Sequence, residues 1–218
     1  VERAVEKLRG CDPTIPWYVR VHELEWVTDA RNLYARFGLE PVRWFDDLIR
    51  PLDEPLSVPA PEGVEIVPWD SVPSQAAREV SNASFADHWG STPRNAEAWE
   101  HMLASHTIRT DLSFVARAGA RVIGICLNAH YPGDEEATLR LDGWIALLGV
   151  LSEWRRQGVA AALISRSLDS FRREGFTHAL LGVDAENPSG AVGLYRRLGF
   201  THLSRSITHE MRVHPAGI

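Results

Sequence analysis

One stretch restricts the fold of this chain more than any other. Residues Leu139 to Val150 read LRLDGWIALLGV, cross the short loop LSEWRRQG, and pass into a helical pattern from Val159 to Arg173. After Gly175 the chain turns apolar again in HALLGVDA, His178 to Ala185. A strand, a helix and a strand in that order make a crossover between neighbouring parallel strands. Val159, Leu163, Ile164, Leu168 and Phe171 share one face of the helix, and Gly175 stands where a C-cap belongs. The first strand is so apolar that burial on both faces is expected.

The elements around this crossover complete an α/β unit. VEIVPW (Val64 to Trp69) alternates as a short strand, and Pro73 suits the first turn of a helix over Gln75 to Phe85. A second helix is expected over Asn95 to Ser105. Leu112 to Gly119 and Ala120 to Tyr131 read as hairpin strands, and Pro132 to Ala137 as a polar loop. Beyond the crossover, Ser189 to Leu198 forms a helix ended by Gly199, and Phe200 to Val213 returns as strand. The expected fold is a mixed central sheet, with an antiparallel meander leading into the β-α-β crossover. The stretch RPLDEPLSVPAPEG, Arg50 to Gly63, holds four prolines and should be extended. The expected organisation is a short piece over 1–50, a linker over 51–63 and the main domain over 64–218.

Charge and cysteine usage exclude several classes. A net charge of −6 and a pI near 5.8 argue against general affinity for nucleic acid or an anionic membrane. The apolar run Trp144 to Leu151 is interrupted by Gly149 and too short to cross a bilayer. Cys11 and Cys126 lie far apart without metal-ligand spacing, so no metal is expected. The first ten residues are charged and helical in pattern rather than a secretory signal, which places the chain in the cytoplasm.

The loop between the crossover strand and helix carries chemistry. Unpaired amides at a helix start attract anions, and Gly158 with the small Ala160 lets a diphosphate approach the backbone. Arg155 and Arg156 add charge that can pair with phosphate oxygens. An arginine-rich helix start can also be merely solvated. A second stretch, Asn187-Pro-Ser-Gly-Ala-Val-Gly-Leu-Tyr195-Arg-Arg-Leu198-Gly199-Phe200, follows the next strand and puts Tyr195 on an amphipathic helix, where a tyrosine is often only a core residue.

Together these stretches resemble the GNAT superfamily of acyl-CoA N-acyltransferases. Arg155, Gly158 and Ala160 match its Q/R-x-x-G-x-G/A pyrophosphate motif, with Arg156, Gln157 and Val159 between them. Asn187, Leu194-Tyr195 and Leu198-Gly199-Phe200 match its later N…lY…lGF pattern. The resemblance covers about Val64 to Val213 and implies acetyl-CoA as acyl-donor cosubstrate. It implies that Leu148 and Val150 pair with the pantetheine arm, that Asn187 positions that arm, and that Tyr195 protonates the departing thiolate. It also implies that Asp87, His88 and Trp89, between the first two helices, line the acceptor pocket.

The general base is less legible. Many members use a glutamate on the fourth strand, whereas Leu139 to Val150 holds only Asp142, with Trp144 farther in. Asp142 is the candidate, ahead of His88 and His130.

A repeat lies upstream. Ala30-Arg-Asn-Leu-Tyr34-Ala-Arg-Phe37-Gly38-Leu39 echoes Ala191-Val-Gly-Leu-Tyr195-Arg-Arg-Leu198-Gly199-Phe200. Residues 1–50 thus look like the back half of another GNAT unit, without a phosphate loop. That layout resembles the tandem, mycothiol synthase-like acetyltransferases, and Tyr34 is expected to be structural. The expected activity is acetyl transfer to an amine of a small polar molecule by direct attack in a ternary complex, with a homodimer among the open assemblies. A non-catalytic acyl-CoA-binding module and a peptide or protein N-terminal acetyltransferase are the readings set against it.

Overall fold

The crossover helix forms over the anticipated residues, Val159–Arg173, and the elements around it follow the expected order. The computed structural model describes residues 17–186 and 190–213, together with Arg3, Glu6 and Lys7. Its elements are β1 (Trp17–Leu24), α1 (Thr28–Arg36), β2 (Glu40–Pro51), β3 (Glu65–Pro68), α2 (Ser74–Ser84), α3 (Ala96–Leu103), β4 (Phe114–Ala118), β5 (Arg121–His130), α4 (Glu135–Thr138), β6 (Asp142–Val150), α5 (Val159–Arg173), β7 (His178–Asp184), α6 (Ala191–Arg197) and β8 (Thr201–Val213). Two compact units are present. One contains Ile49–Gly182 and Gly193–Thr201; the other contains Val1–Leu48, Val183–Val192 and His202–Ile218.

In the larger unit the strands run in the order β7-β6-β5-β4-β3. The pairs β3–β4, β4–β5 and β5–β6 are antiparallel, and β6–β7 is parallel. Alternation along β5 assigns the faces. Ile125 and Leu127 join Trp69, Val80 and Trp99 in the core beneath α2 and α3. Gly124 and Cys126 face α5: a side chain at Gly124 would meet Leu163 and Val159 at 3.2 and 3.3 Å, and Ser167 Oγ lies 3.1 Å from Cys126 Sγ. Asn95 caps α3 by accepting from the Ala98 amide at 2.8 Å.

Three local expectations change. The proline-rich stretch lies along α5: Ser165 Oγ donates to Leu56 O at 2.8 Å and accepts from the Val58 amide at 3.0 Å. Prolines make this segment extended, and buried hydroxyls on the helix still recruit its free backbone groups. The polar loop after β5 contains a 3₁₀ turn, Pro132–Asp134, and the short helix α4. Strand β6 begins at Asp142 rather than Leu139, because Leu139 takes φ 54° and breaks the extended run.

In the smaller unit, β1 pairs antiparallel with β8, from Trp17↔Val213 to Leu24↔Ser206. Arg205 clamps Asp46 with bonds of 2.6 and 3.0 Å, holding that carboxyl below its ordinary range, while burial raises its neighbour Asp47. Among the described residues no helix is long and apolar enough to cross a membrane.

Candidate active site

The site is built where β6 and β7 stop pairing. Their parallel register covers Asp142↔His178, Gly143↔Ala179, Trp144↔Leu180 and Ile145↔Leu181, and goes no further. On its other edge β6 stays with β5 up to Gly124↔Val150, but the register slips between Leu127↔Leu147 and Asn128↔Ile145. Ala146 is left over as a bulge and is exposed. From Ala146 to Val150 one edge of β6 therefore offers backbone donors and acceptors that β7 does not take. The expectation of a strand buried on both faces is corrected here: Ala146 is open and Leu147 and Leu148 are only half-buried. The physical reason is the parting itself, which withdraws the neighbouring strand from that edge. Leu148 and Val150, the residues implied for the pantetheine arm, lie on the freed portion, opposite Cys126 and Gly124.

Beyond Val150 a 3₁₀ turn over Ser152–Trp154 leads into the loop. Arg156 (φ 60°) and Gly158 (φ 91°) take the left-handed conformation on either side of Gln157. Gly158 precedes α5 with no side-chain cap, so the first-turn amides of that helix have no intrahelical acceptor. Unpaired amides of this kind attract anions, and glycine suits both the φ and a close approach to the backbone. A side chain at Gly158 would also come within 3.6 Å of Pro61.

The loop's polar side chains divide by role. The Arg155 guanidinium donates to Val150 O at 3.1 Å and to Ser84 O at 3.0 Å, tying the end of α2 to the end of β6. Gln157 Nε2 donates to Glu153 O at 2.8 Å. Arg156 is exposed and has no ion pair among the described residues. Val159 is buried in the core and Ala160 half-buried, so their contribution to an anion site is backbone. The tie to α2 is close: a side chain at Gly149 would meet Ser84 Cβ at 2.9 Å.

Tyr195 on α6 is 8% exposed, and its hydroxyl has no hydrogen bond among the described residues. Burial, and secondarily the nearby Cys126, push its pKa up to about 12. Cys126 is itself pushed up to about 12 by burial, opposed by the hydrogen bond from Ser167. Both groups are neutral across the physiological range, so the phenol keeps its proton. Asn187 lies outside the described residues.

Asp142 opens β6 at its first pair with β7, about 13 Å along the strand from Ala146. It is 6% exposed, and Arg140 holds both its oxygens, with the shortest bond at 2.9 Å. His130 hydrogen-bonds Asp142 O through Nδ1 at 3.2 Å and meets Glu135 through Nε2 at 3.0 Å. The loop after α2 leaves Asp87 exposed and His88 and Trp89 half-buried, with the His88 ring 4.8 Å from Phe85. The structure thus gathers the β6 edge and the phosphate loop, and sets Asp142 apart at the far end of the strand. Sequence reasoning missed the Ala146 bulge, Ser84 and the Cys126–Tyr195 neighbourhood. The only advance signal was Gly149, since glycine inside an apolar strand marks a close approach.

The family model described as "Acetyltransferase (GNAT) family" matches residues 75–200. The chain belongs to the GNAT acetyltransferase family. The match spans from α2 to Phe200 and so takes in β6, the loop before α5 and Tyr195. A mycothiol acetyltransferase from Pseudarthrobacter chlorophenolicus is 31% identical over 95% of this chain and 63% of its own length. The N-alpha-acetyltransferase 30 of Schizosaccharomyces pombe is 37% identical over 44% of this chain and 61% of its own. The GCN5-related N-acetyltransferase from Sphaerobacter thermophilus superposes with a TM-score of 0.80 at 27% identity, covering 100% of this chain and 66% of that one. A tandem GNAT protein from the clavulanic acid pathway shares the fold, with a TM-score of 0.68 at 18% identity over 93% of this chain and 65% of its own. The chain spans about three fifths of the length of the curated relatives it matches.

Proposed function

We propose that this GNAT domain transfers an acetyl group from acetyl-CoA to the amine of a small polar acceptor, by direct attack in a ternary complex. The observation that carries the reading is the parting of β6 from β7 after Ile145, continuous through Val150 with the uncapped start of α5. A free strand edge running into an anion-binding helix start suits a ligand with an extended amide arm and a diphosphate. Gly158 and the first-turn amides of α5 would hold the diphosphate, with Arg156 at its rim; the β6 edge from Ala146 to Val150 would hold the arm. Acetyl-CoA supplies an activated acetyl thioester there.

The chain's own groups do the rest. An amide on the freed edge of β6 is a fixed donor toward the developing oxyanion. Tyr195 holds its proton at the hydroxyl for delivery to a thiolate, and its raised pKa keeps that proton in place over the whole working range. Arg155 keeps α2 against the end of β6 and so sets the width of the site. No carboxylate lies on β6 between Gly143 and Val150, so the amine gives its proton to solvent before it attacks. The resemblance to mycothiol acetyltransferases supports a small-molecule acceptor.

Calorimetric titration with acetyl-CoA, with ATP as control, tests the reading directly. Micromolar acetyl-CoA binding with weak ATP binding is expected, and Gly158→Val should lose it. Equal affinity for ATP, or unchanged acetyl-CoA affinity in the variant, would refute it.

A further inference from the structure

The face of β4–β6 beneath α2 and α3 is roofed unevenly. Leu127, Trp69, Trp99 and Val80 are buried there, and Leu147 packs against them. Toward the start of β6 the roof ends over an aromatic pair. A side chain at Gly143 would strike the Phe171 ring of α5 at 2.8 Å, so Gly143 faces α5 and its neighbour Trp144 faces the opposite way. Tyr131 meets Trp144 edge to face, with ring centroids 5.9 Å apart at 84°. Tyr131 remains 38% exposed and Trp144 is only half-buried.

The hairpin between β5 and β6 departs from ordinary practice in a second way. Leu139 is 91% exposed and held at φ 54°, a conformation that costs a branched apolar residue about 1–3 kcal/mol. Glu135 and Glu136 on the same hairpin give it negative charge, and the only arginine there, Arg140, is paired with Asp142.

We propose that Tyr131 and Trp144 form the acceptor shelf of this domain, and that the acceptor is an arylalkylamine: a planar ring joined by a short alkyl spacer to a primary amine. This rests on the transferase reading of the β6 edge. Trp144 lies two residues before the Ala146 bulge, about 7 Å along the strand. A ring seated on Trp144 therefore reaches the parting point only if its amine stands off on a spacer. An amino sugar, with its nitrogen attached directly to the ring, falls short. A polyamine spans the distance but has no ring to stack on Trp144. The cationic form is drawn in by the acidic hairpin and the aromatic faces.

The test is binding of phenethylamine, with glucosamine and spermidine as comparison probes, measured by calorimetry on the whole chain with and without desulfo-CoA. Phenethylamine should bind at least about tenfold more tightly than either comparison probe. Trp144→Ala should weaken it about tenfold, Trp144→Phe less, and Tyr131→Phe hardly at all, since the ring edge is kept. Circular dichroism and Trp144→Phe guard against simple misfolding of the alanine variant. The shelf is overturned if phenethylamine ranks no higher than the other probes. It is equally overturned if folded Trp144→Ala and Trp144→Phe both bind phenethylamine like the parent. Failure of desulfo-CoA to bind counts against the transferase reading, whereas the phenethylamine ranking in the free chain still decides the shelf.

Discussion

Two helices in this chain end in the same way and sit in different surroundings. A single offset in numbering carries Trp17 onto His178, Tyr34 onto Tyr195, Gly38 onto Gly199 and Glu40 onto Thr201, so β1-α1-β2 repeats β7-α6-β8 without a gap. At the end of α1, Phe37 N and Leu39 N donate to Tyr34 O, and Gly38 N donates to Ala35 O, all at 3.0 Å. At the end of α6, Leu198 N and Phe200 N donate to Tyr195 O at 3.1 and 3.0 Å, and Gly199 N donates to Arg196 O at 3.1 Å. Both glycines are left-handed, and Leu39 and Phe200 are both buried. The local code has been copied faithfully.

The surroundings have not. Tyr195 is closed in beside Cys126 and Phe200, where burial raises its pKa. Helix α1 buries no residue, and Tyr34 is half-buried against the His209 ring, 5.4 Å away. Near it Glu23 is buried with both oxygens unbonded, 3.7 Å from His209 Nε2 and 3.8 Å from Arg31 Nε. A helix end is encoded within a few residues. The dielectric around a phenol is set by whatever packs over it.

The largest effect that could break this contrast lies in catalysis. Tyr195→Phe should lower kcat by about 100-fold or more while leaving acetyl-CoA affinity intact, and Tyr34→Phe should leave kcat within about twofold. Equal losses in steady-state assays of the two variants would mean that the repeats share a role.

The pH profile sharpens the same point. Because Tyr195 is protonated up to about 12, kcat/KM should climb with the neutral fraction of the amine and show no falling limb below about pH 10. A decline between pH 8 and 9.5 would assign the proton to another group.

Next comes the capping glycine. A side chain at Gly199 would meet Arg50 Nε at 2.9 Å, whereas one at Gly38 would meet only Met211 Sδ at 3.7 Å. Both pay the left-handed strain, so Gly38→Ala should cost about 1 kcal/mol and Gly199→Ala about 2 kcal/mol in urea unfolding. The reverse order would show that Arg50 yields freely.

The smallest effect is alkaline destabilisation. The thiol of Cys126 and the phenol of Tyr195 have folded values above their ordinary 9.0 and 10.0. Their contribution is whole below those ordinary values and is lost as pH rises toward about 12. Unfolding free energy should therefore start to fall near pH 9, and Cys126→Ala should delay the onset to near pH 10. An unchanged onset in the variant would count against the buried thiol as its source.

Much of this was legible in the chain. The bounds of α5 followed from Val159, Leu163, Leu168 and Phe171 at helical spacing, and Gly175 takes the left-handed φ of 85° that a helix stop requires. The loop before α5 stood out because Gly158 follows Arg155 and Arg156 at a strand-to-helix junction, and Gly158 does take the left-handed φ of 91°. Asp142 stands out as the one carboxylate on the expected fourth strand, and nothing in the local residue pattern shows that Arg140 occupies both its oxygens. The proline-rich stretch looked like a spacer because its composition forbids a helix, yet its carbonyls and amides found Ser165.

By itself, then, the sequence determined what is set within a turn or two of chain: the order of elements, the helix ends at Gly38 and Gly199, the uncapped start of α5 and the copied tyrosine. Tertiary structure alone decided that β6 leaves β7 after Ile145, that Ala146 bulges, that β8 pairs with β1 rather than staying within its own repeat, and that one tyrosine is sealed while its copy is not. Backbone geometry and capping act between near neighbours and are written in residue type. Strand pairing and burial depend on partners far apart in the chain, and an apolar strand reads the same whether a strand or a ligand completes its edge.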